Sequence, residues 1–185
     1  MAALVRARTD LTDDPSEKSL PAHLQAQLRM RAGIALGSNL GDRLANLIAG
    51  REAVLRLPGV TAPVLHSRVY ETEPVGTEPD AEPFLNAVME IEFTGDPLAL
   101  LTALRSIESA LGRPTRYPRN APRTLDLDIL YISDLALHDA ALILPHPRLH
   151  LRRFVLAPLN DVRPDLRLPG QIGRASCRER VCVPG

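Results

Sequence analysis

Alternation of apolar and acidic residues in one short segment constrains the fold of this chain most. Within residues 125–132, Leu127 and Ile129 alternate with Asp126 and Asp128. Because side chains along a strand alternate between its faces, this segment predicts a strand with its apolar residues in a core and both carboxylates on the opposite face. The two carboxylates are then about 6–7 Å apart along the strand and repel each other unless a cation lies near them. Mg²⁺ is the natural candidate because it prefers one or two carboxylates together with phosphate oxygens and water; two solvated aspartates on an exposed face are the alternative.

The rest of the hydrophobic pattern predicts strands and helices in the order β-α-β-β-α-β. Strands are expected at residues 33–36, 64–70, 85–93 and 125–132. Helices are expected from a capping Asp42 to residue 57, from Pro97 to residue 111, and over a short stretch at residues 155–160. This order is that of the split βαβ, or ferredoxin-like, arrangement, an α+β fold with an antiparallel sheet and helices packed on it.

The organised part is expected at residues 32–168, between a flexible extension (1–31) and an unstructured tail (169–185). Both cysteines lie in the tail. The sequence from Gln171 onward is similar to a translated sequencing adapter, and a natural basic tail is the alternative. The 22 basic and 22 acidic residues balance, so charge gives no reason to expect nucleic acid or a membrane as partner. No apolar run is long enough to span a bilayer and the N-terminus lacks the apolar middle of a secretory signal, which predicts a cytoplasmic location.

Basic residues cluster beside the two aspartates. The segment between Gly112 and Asp126 is rich in arginine and proline, and it contains four arginines: Arg113, Arg116, Arg119 and Arg123. Guanidinium groups can chelate the oxygens of a triphosphate and stabilise charge that develops during phosphoryl transfer. Solubility, or pairing with surface acids, is the alternative.

A second basic cluster follows a histidine held between two prolines. His146 lies between Pro145 and Pro147, and Arg152 and Arg153 follow it. His146 is placed to donate a hydrogen bond to a phosphate, although a histidine in such a setting can also be purely structural.

Two phenylalanines lie next to polar motifs in a chain that has only three phenylalanines and no tryptophan. Phe84 precedes Asn86, whose amide offers a donor and an acceptor side by side and can read the edge of a heterocycle. Phe84 and Phe154 can stack on the two faces of such a ring, or can be simple core residues. The segment 37–42 lacks the ending of a phosphate-binding loop and is interpreted as a strand-to-helix turn with Asp42 as the helix cap.

Several segments together resemble the 6-hydroxymethyl-7,8-dihydropterin pyrophosphokinase family of folate biosynthesis. The resemblance runs from about residue 32 to residue 168 and depends on five motifs, at residues 34–41, 70–74, 84–86, 119–128 and 145–148. It implies a ferredoxin-like α+β fold, ATP as co-substrate, two Mg²⁺ ions, and AMP as the leaving product. The implied partners are the two small substrates, with no nucleic acid and no membrane, and a monomer is expected.

Site residues follow from the resemblance position by position. It implies a catalytic set of Arg113, Arg123, Asp126 and Asp128, in which the two aspartates also bind the metal ions. It implies an ATP-binding set of Arg123, Ile129, His146 and Arg152. It implies a pterin-binding set of Thr72, Val75, Phe84, Asn86 and Phe154.

Two departures from the family pattern bear on these expectations. The family often has Trp-Gly where this chain has Asn120 and Ala121, which predicts a difference in pterin affinity or in closure over the pterin. The family also often has an arginine where this chain has Thr115, with Arg116 next to it. Two other functions stay open: an RNA-binding module, since ferredoxin-like sheets also bind RNA, and a degenerate pyrophosphokinase that serves as a scaffold.

Overall fold

A computed structural model of the chain describes residues 29–73, 82–113 and 121–169. Its main strands are β1 (Met30–Ser38), β2 (Val60–His66), β3 (Tyr70–Thr72), β4 (Phe84–Phe93) and β5 (Asp126–Ile132). Its helices are α1 (Arg43–Leu55), α2 (Pro97–Ala110) and α3 (Arg153–Val162), and a single 3₁₀ turn covers Leu149–Leu151. A small hairpin of β6 (Leu137–His138) and β7 (Ile143–Leu144) follows β5.

The sheet has the predicted topology. The strand order is β2-β4-β1-β5, with β3 also pairing with β4, and every neighbouring pair is antiparallel. This is the order of the split βαβ arrangement, so the α+β, ferredoxin-like expectation is confirmed. It brings the ends of β4, β1 and β5 side by side, and the candidate site lies at these ends.

Apolar side chains are buried on both faces of the sheet. One core lies between the sheet and the first two helices, where Leu47 and Val54 of α1 and Leu104 of α2 pack against strand residues. A second, smaller core lies on the other face, where Val155 and Leu159 of α3 are buried. The aspartates of β5 therefore point to the face that α3 covers farther along the strand.

Helices α1 and α2 begin where expected, after the cap Asp42 and at Pro97, and Asp96 supplies a further cap. Asp42 accepts a hydrogen bond from the Ala45 N–H at 3.0 Å, as predicted for the cap of α1. Asp96 accepts one from the Ala99 N–H at 2.8 Å, and Pro97 opens α2, where its missing N–H costs no helical hydrogen bond.

The prediction of one strand over residues 64–70 is wrong. The segment is divided into β2, which begins earlier, and β3, which continues past Tyr70. Ser67 lies between them, and it exchanges hydrogen bonds with Val88 of β4: the Ser67 N–H donates to the Val88 carbonyl, and the Val88 N–H donates to Ser67 Oγ. Because the Ser67 side chain replaces a backbone acceptor here, the strand is interrupted without leaving a buried N–H unpaired.

A β-bulge in the β1–β5 pairing also departs from simple alternation. Ile34 pairs with Ile129 whereas Gly33 pairs with Tyr131, so Leu130 has no partner of its own. Beyond the bulge the Tyr131 ring lies directly over Gly33, where a β-carbon would be only 2.2 Å from the ring. Glycine is required there because the aromatic ring occupies the space that any side chain would need.

In the described ranges no helix is both long enough and apolar enough to cross a membrane.

Candidate active site

Asp126 and Asp128 lie on the same face of β5. Leu127 and Ile129 between and after them are buried in the core under α1 and α2, with 5% and 3% of their surface exposed. The two carboxylates therefore face away from that core, as the alternation predicts. Each carboxylate has a different set of arginine partners.

Two arginines converge on Asp126. Arg113 Nη1 donates to Asp126 Oδ1 at 2.7 Å, and Arg123 Nη1 lies 3.4 Å from Asp126 Oδ2. Burial raises the pKa of Asp126, and the charge of Asp128 raises it further, while both arginines act in the opposite direction. A buried carboxylate with a second carboxylate beside it makes this a site that favours cations.

A buried glutamate, Glu108, holds Arg113 in place. Glu108 of α2 is 7% exposed, pairs with Arg113, and accepts a hydrogen bond from the Leu127 N–H at 2.7 Å. Burial raises the pKa of Glu108, and the nearby Asp126 and Asp128 add to the effect, whereas the Leu127 N–H and Arg113 lower it. Glu108 was not among the predicted site residues, although an acid directly after Ile107 on the apolar side of a predicted helix is a usable signal.

The second aspartate pairs with the second basic cluster. Arg152 Nη1 lies 3.2 Å from Asp128 Oδ2. His146 accepts a hydrogen bond from the Arg148 N–H on its Nδ1 at 3.1 Å, which places the proton of the neutral ring on Nε2. Burial lowers the pKa of His146, and Arg152 and Arg148 lower it further against the opposing charge of Asp128. The ring is therefore neutral at pH 7 and has an Nε2–H available as a donor.

Thr72, Asn86 and Phe84 form the other side of the site. Asn86 is 6% exposed and donates from Nδ2 to Thr72 Oγ1 at 2.8 Å. The Arg123 guanidinium lies 5.5 Å from the centre of the Phe84 ring, a cation–π contact. Arg123, which precedes β5 and pairs with Asp126, is thus in contact with Phe84, the predicted ring-binding residue of β4.

Phe154 makes a cation–π contact with Arg152, as Phe84 does with Arg123. The Arg152 guanidinium lies 5.5 Å from the centre of the Phe154 ring. Each aspartate is therefore linked through one arginine to one phenylalanine, Asp126 to Phe84 and Asp128 to Phe154. This pattern was not visible in the sequence because the members of each group come from different elements.

Gly37 of β1 joins the two sides. In the sheet it pairs with Asn86 of β4 on one side and with Asp126 of β5 on the other. A β-carbon at this position would be 3.2 Å from Asn86 Oδ1 and 3.8 Å from the Asp126 β-carbon and from the Phe84 ring. The glycine therefore keeps open the space between the buried amide and the first carboxylate.

Not all predicted site residues come together here. The side chain of Ile129 is buried in the core on the opposite face of the sheet, away from the carboxylates, and its role toward ATP stays a prediction. Val75, Arg116, Arg119 and the departures at Thr115 and Asn120 lie outside the described residues.

The two carboxylates of β5 are an incomplete ligand set for a metal ion. In the described part of the chain no three His, Cys, Asp or Glu side chains are grouped so that they could hold a metal ion by themselves. Asp126 and Asp128 supply two carboxylates, and Mg²⁺ is typically bound by one or two carboxylates with phosphate oxygens and waters completing the coordination. The donor set therefore fits Mg²⁺ that binds together with a phosphate-bearing substrate.

Comparison with protein families gives a match over most of the described core. Residues 33–164 match the family model described as 7,8-dihydro-6-hydroxymethylpterin-pyrophosphokinase. The chain is 47% identical over 133 residues to a 2-amino-4-hydroxy-6-hydroxymethyldihydropteridine pyrophosphokinase of Bacillus subtilis, which covers 71% of this chain and 77% of the relative. It is 40% identical over 144 residues to a protein of the same name from Methylorubrum extorquens, which covers 78% of this chain and 89% of the relative.

A solved structure shows the same fold at low sequence identity. The crystal structure of wild-type Plasmodium falciparum HPPK-DHPS with SDX-DHP superposes with a TM-score of 0.63 at 14% identity, over 80% of this chain and 43% of that one. The chain thus spans less than half the length of the solved structures that it matches. At this identity the likeness supports the fold alone.

Proposed function

Because this chain belongs to the 7,8-dihydro-6-hydroxymethylpterin-pyrophosphokinase family, we propose that the residues grouped at the Asp126 end of β5 form its active site. The chain is a pyrophosphokinase of folate biosynthesis that transfers diphosphate from ATP to 6-hydroxymethyl-7,8-dihydropterin and releases AMP. The observation that supports the proposed location is the row of Asn86, Gly37 and Asp126 across three strands, which sets a buried side-chain amide near a carboxylate.

The pterin is proposed to bind between the ends of β3 and β4 and the start of α3. Asn86 recognises the polar edge of the ring, since its amide is buried, is fixed by Thr72 and lies beside the space that Gly37 leaves open. Phe84 and Phe154 contact the ring faces, and their present cation–π contacts with Arg123 and Arg152 give way or adjust as the ring enters. Val75 completes the proposed pterin set: Thr72, Val75, Phe84, Asn86 and Phe154.

The triphosphate is proposed to bind along the carboxylate row. Arg113 and Arg123 exchange Asp126 for phosphate oxygens, and Arg152 exchanges Asp128 in the same way. The His146 Nε2–H donates to a further phosphate oxygen, since its Nδ1 is already occupied by the Arg148 N–H. Ile129 is retained in the proposed ATP set: Arg123, Ile129, His146 and Arg152.

Asp126 and Asp128 are proposed to hold two Mg²⁺ ions with the phosphates. When bound, the ions neutralise the phosphate oxygens and align the reacting groups. The protein's own contribution is to present both carboxylates on one strand. Once the carboxylates bind the ions, the arginines that pair with them become available to the phosphates. Cations at this position would offset both the burial of Asp126 and its repulsion by Asp128, which raise its pKa.

The transfer itself is proposed to be a direct in-line displacement. The hydroxymethyl oxygen of the pterin attacks the β-phosphorus of ATP, its proton is lost to solvent or to a neighbouring carboxylate, and AMP leaves. Arg113 and Arg123 stabilise the charge that develops on the phosphate oxygens, and Glu108 keeps Arg113 oriented for this. Catalysis is thus attributed to positioning and electrostatics, with no covalent intermediate on the protein.

RNA binding is disfavoured by the layers of the fold. RNA-recognition sheets stack bases on aromatic residues of an open face. Here α1 and α2 cover one face and α3 covers much of the other in the described structure, and the open part of that face has two aspartates. These carboxylates would repel a phosphate backbone.

The direct test is AMP release from ATP with and without added 6-hydroxymethyl-7,8-dihydropterin, in the presence of Mg²⁺. We expect AMP only when the pterin is present, in equal amount to the pterin diphosphate formed. AMP release that is independent of the pterin, or no release at all by folded protein, would overturn the proposed site and its roles.

We also propose a cytoplasmic location, which fits an enzyme of soluble substrates and is tested by cell fractionation.

A further inference from the structure

The ends of β3 and β4 carry residues of the proposed pterin site on a short piece of sheet. β3 has only three residues, and it pairs with β4 through Tyr70, Glu71 and Thr72. Thr72 pairs with Phe84 in this register, and its hydroxyl also accepts the Asn86 amide. A strand this short has few ladder hydrogen bonds, so its position depends on contacts outside the sheet.

One side chain from another element reaches both strand ends. Arg43 is the first residue of α1, and its Nη1 donates to the Pro83 carbonyl at 2.7 Å and to Glu71 Oε1 at 2.9 Å. Glu71 lies in β3, and Pro83 directly precedes Phe84 of β4. The guanidinium therefore ties together the two strand ends from the outside.

Helix stability does not explain an arginine at this position. The N-terminus of a helix carries partial positive charge, so a cation in the first turn is unfavourable for the helix itself. Asp42 already supplies the cap of α1. The positive charge of Arg43 is instead used in its contacts with Glu71 of β3 and with the carbonyl that precedes β4.

We propose that Arg43 is a positioning residue for the pterin site: it fixes the ends of β3 and β4 so that Thr72, Phe84 and Asn86 keep the arrangement that binds the ring. The inference rests on the proposed function, which places the pterin at these residues. Arg43 itself touches neither the carboxylates nor the phosphate-binding arginines among its observed contacts, so its effect is expected on the pterin alone.

The two hydrogen bonds of Arg43 are expected to differ in strength. The Glu71 side chain is 56% exposed, so its ion pair is screened by solvent and contributes little. The Pro83 carbonyl accepts a short, charge-assisted hydrogen bond from a partly buried donor, which is the stronger class of contact. Most of the positioning is therefore assigned to the carbonyl.

Arg43→Met removes both hydrogen bonds and keeps an unbranched apolar stem. We expect it to weaken pterin binding about tenfold, equivalent to about 1.4 kcal/mol, with nucleotide affinity unchanged. Glu71→Gln is expected to change pterin affinity less than about twofold, because only the screened ion pair is lost. Arg43→Lys keeps one donor for the carbonyl and is expected to restore part of the affinity.

Arg56→Met is the matched control. Arg56 follows the same helix and pairs with Glu52 at 2.9 Å, but both side chains are largely exposed and far along the helix from β3. It is expected to leave the affinity for both ligands unchanged. Any general effect of removing an arginine from this part of the protein is thereby measured.

The experiment is a titration of full-length protein with the pterin, followed by its fluorescence, in the presence of Mg²⁺ and a non-hydrolysable ATP analogue. The affinity for the analogue is measured separately, and the melting temperature shows that each variant is folded. A pterin Kd for Arg43→Met within about twofold of the unmodified protein, or an equal loss of affinity for both ligands, would overturn the inference. Failure of the unmodified protein to bind the pterin at all would instead overturn the proposed function.

Discussion

Asn39 holds the backbone of Arg123 from both sides. The Asn39 N–H donates to the Arg123 carbonyl at 3.1 Å, and the Arg123 N–H donates to Asn39 Oδ1 at 2.8 Å. Asn39 is 1% exposed and lies in the turn between β1 and α1, far in sequence from Arg123. The turn that precedes the first helix thus fixes the arginine that contacts both Asp126 and Phe84.

Removing the Asn39 side chain tests this link. Asn39→Ala leaves the partly buried N–H of Arg123 without its acceptor, and we expect kcat to fall about tenfold or more as the arginine loses its fixed position. Steady-state assays with both substrates at saturation measure the effect.

Asn46→Ala is the control for the Asn39 variant. Asn46 also bonds to the same turn, through the Leu40 carbonyl at 2.9 Å, but it does not contact Arg123. We expect it to lower the melting temperature while kcat stays within about twofold, since one hydrogen bond contributes about 1 kcal/mol to stability. An equal fall of kcat in both variants would show that the turn matters only for folding.

Two glycines of β1 are expected to respond differently to alanine. Gly37→Ala places a methyl group 3.2 Å from Asn86 Oδ1, inside the proposed pterin site, and should raise the KM for the pterin several-fold with little loss of stability. Gly33→Ala forces the Tyr131 ring to move and should lower the free energy of unfolding by about 1–3 kcal/mol. Pterin titration and urea unfolding of the two variants separate the effects, and a stability loss without a pterin effect for Gly37→Ala would contradict the proposed site.

Loss of the second carboxylate should strongly lower turnover in the presence of Mg²⁺. In Asp128→Ala one of the two proposed metal ligands is missing, and we expect kcat to fall about 100-fold or more. Asp134→Ala, which removes an exposed acid in the turn after β5, should leave turnover unchanged. Near-normal turnover of folded Asp128→Ala in the presence of Mg²⁺ would refute the metal assignment.

A buried cluster under α3 predicts how stability depends on pH. Glu90 accepts a hydrogen bond from Tyr131 Oη at 2.6 Å and is paired with Arg163, which directly follows α3. Burial raises the pKa of Glu90, but the hydrogen bonds from Arg163 and Tyr131 outweigh it, and the pKa ends below its ordinary value of 4.5. A carboxylate with a lowered pKa stabilises the folded state above pH 4.5, and this contribution is lost as the pH falls through the folded-state pKa.

Glu90→Gln measures this contribution. At neutral pH the variant should be less stable than the unmodified protein by about 1–3 kcal/mol, because a charged, paired acceptor is replaced by a neutral amide. The difference should shrink as the pH is lowered below 4.5, where the glutamate of the unmodified protein becomes protonated. Urea unfolding at a series of pH values gives both quantities, and a difference that does not depend on pH would contradict the assigned cluster.

Local sequence determined much of the fold and part of the site. The alternation around Leu127 and Ile129 fixed which face of β5 carries the aspartates, because the period of a strand is a local property. The caps at Asp42 and Pro97 likewise act within one helical turn. The order of these elements then indicated the split βαβ topology, since few arrangements of such an order bury all apolar faces.

Tertiary structure alone decided which distant residues meet. Glu108, Asn39 and Arg43 were missed because each acts on a partner from another element: Arg113 and the Leu127 N–H, the Arg123 backbone, and the Pro83 carbonyl. The break at Ser67 and the bulge at Leu130 also depend on the neighbouring strand and not on the strand's own pattern. The alternation of apolar and polar residues along a strand or helix can be read from neighbouring residues in the sequence. The hydrogen-bond partner of a side chain depends on how the whole sheet and its helices pack, and this packing exists only in the folded chain.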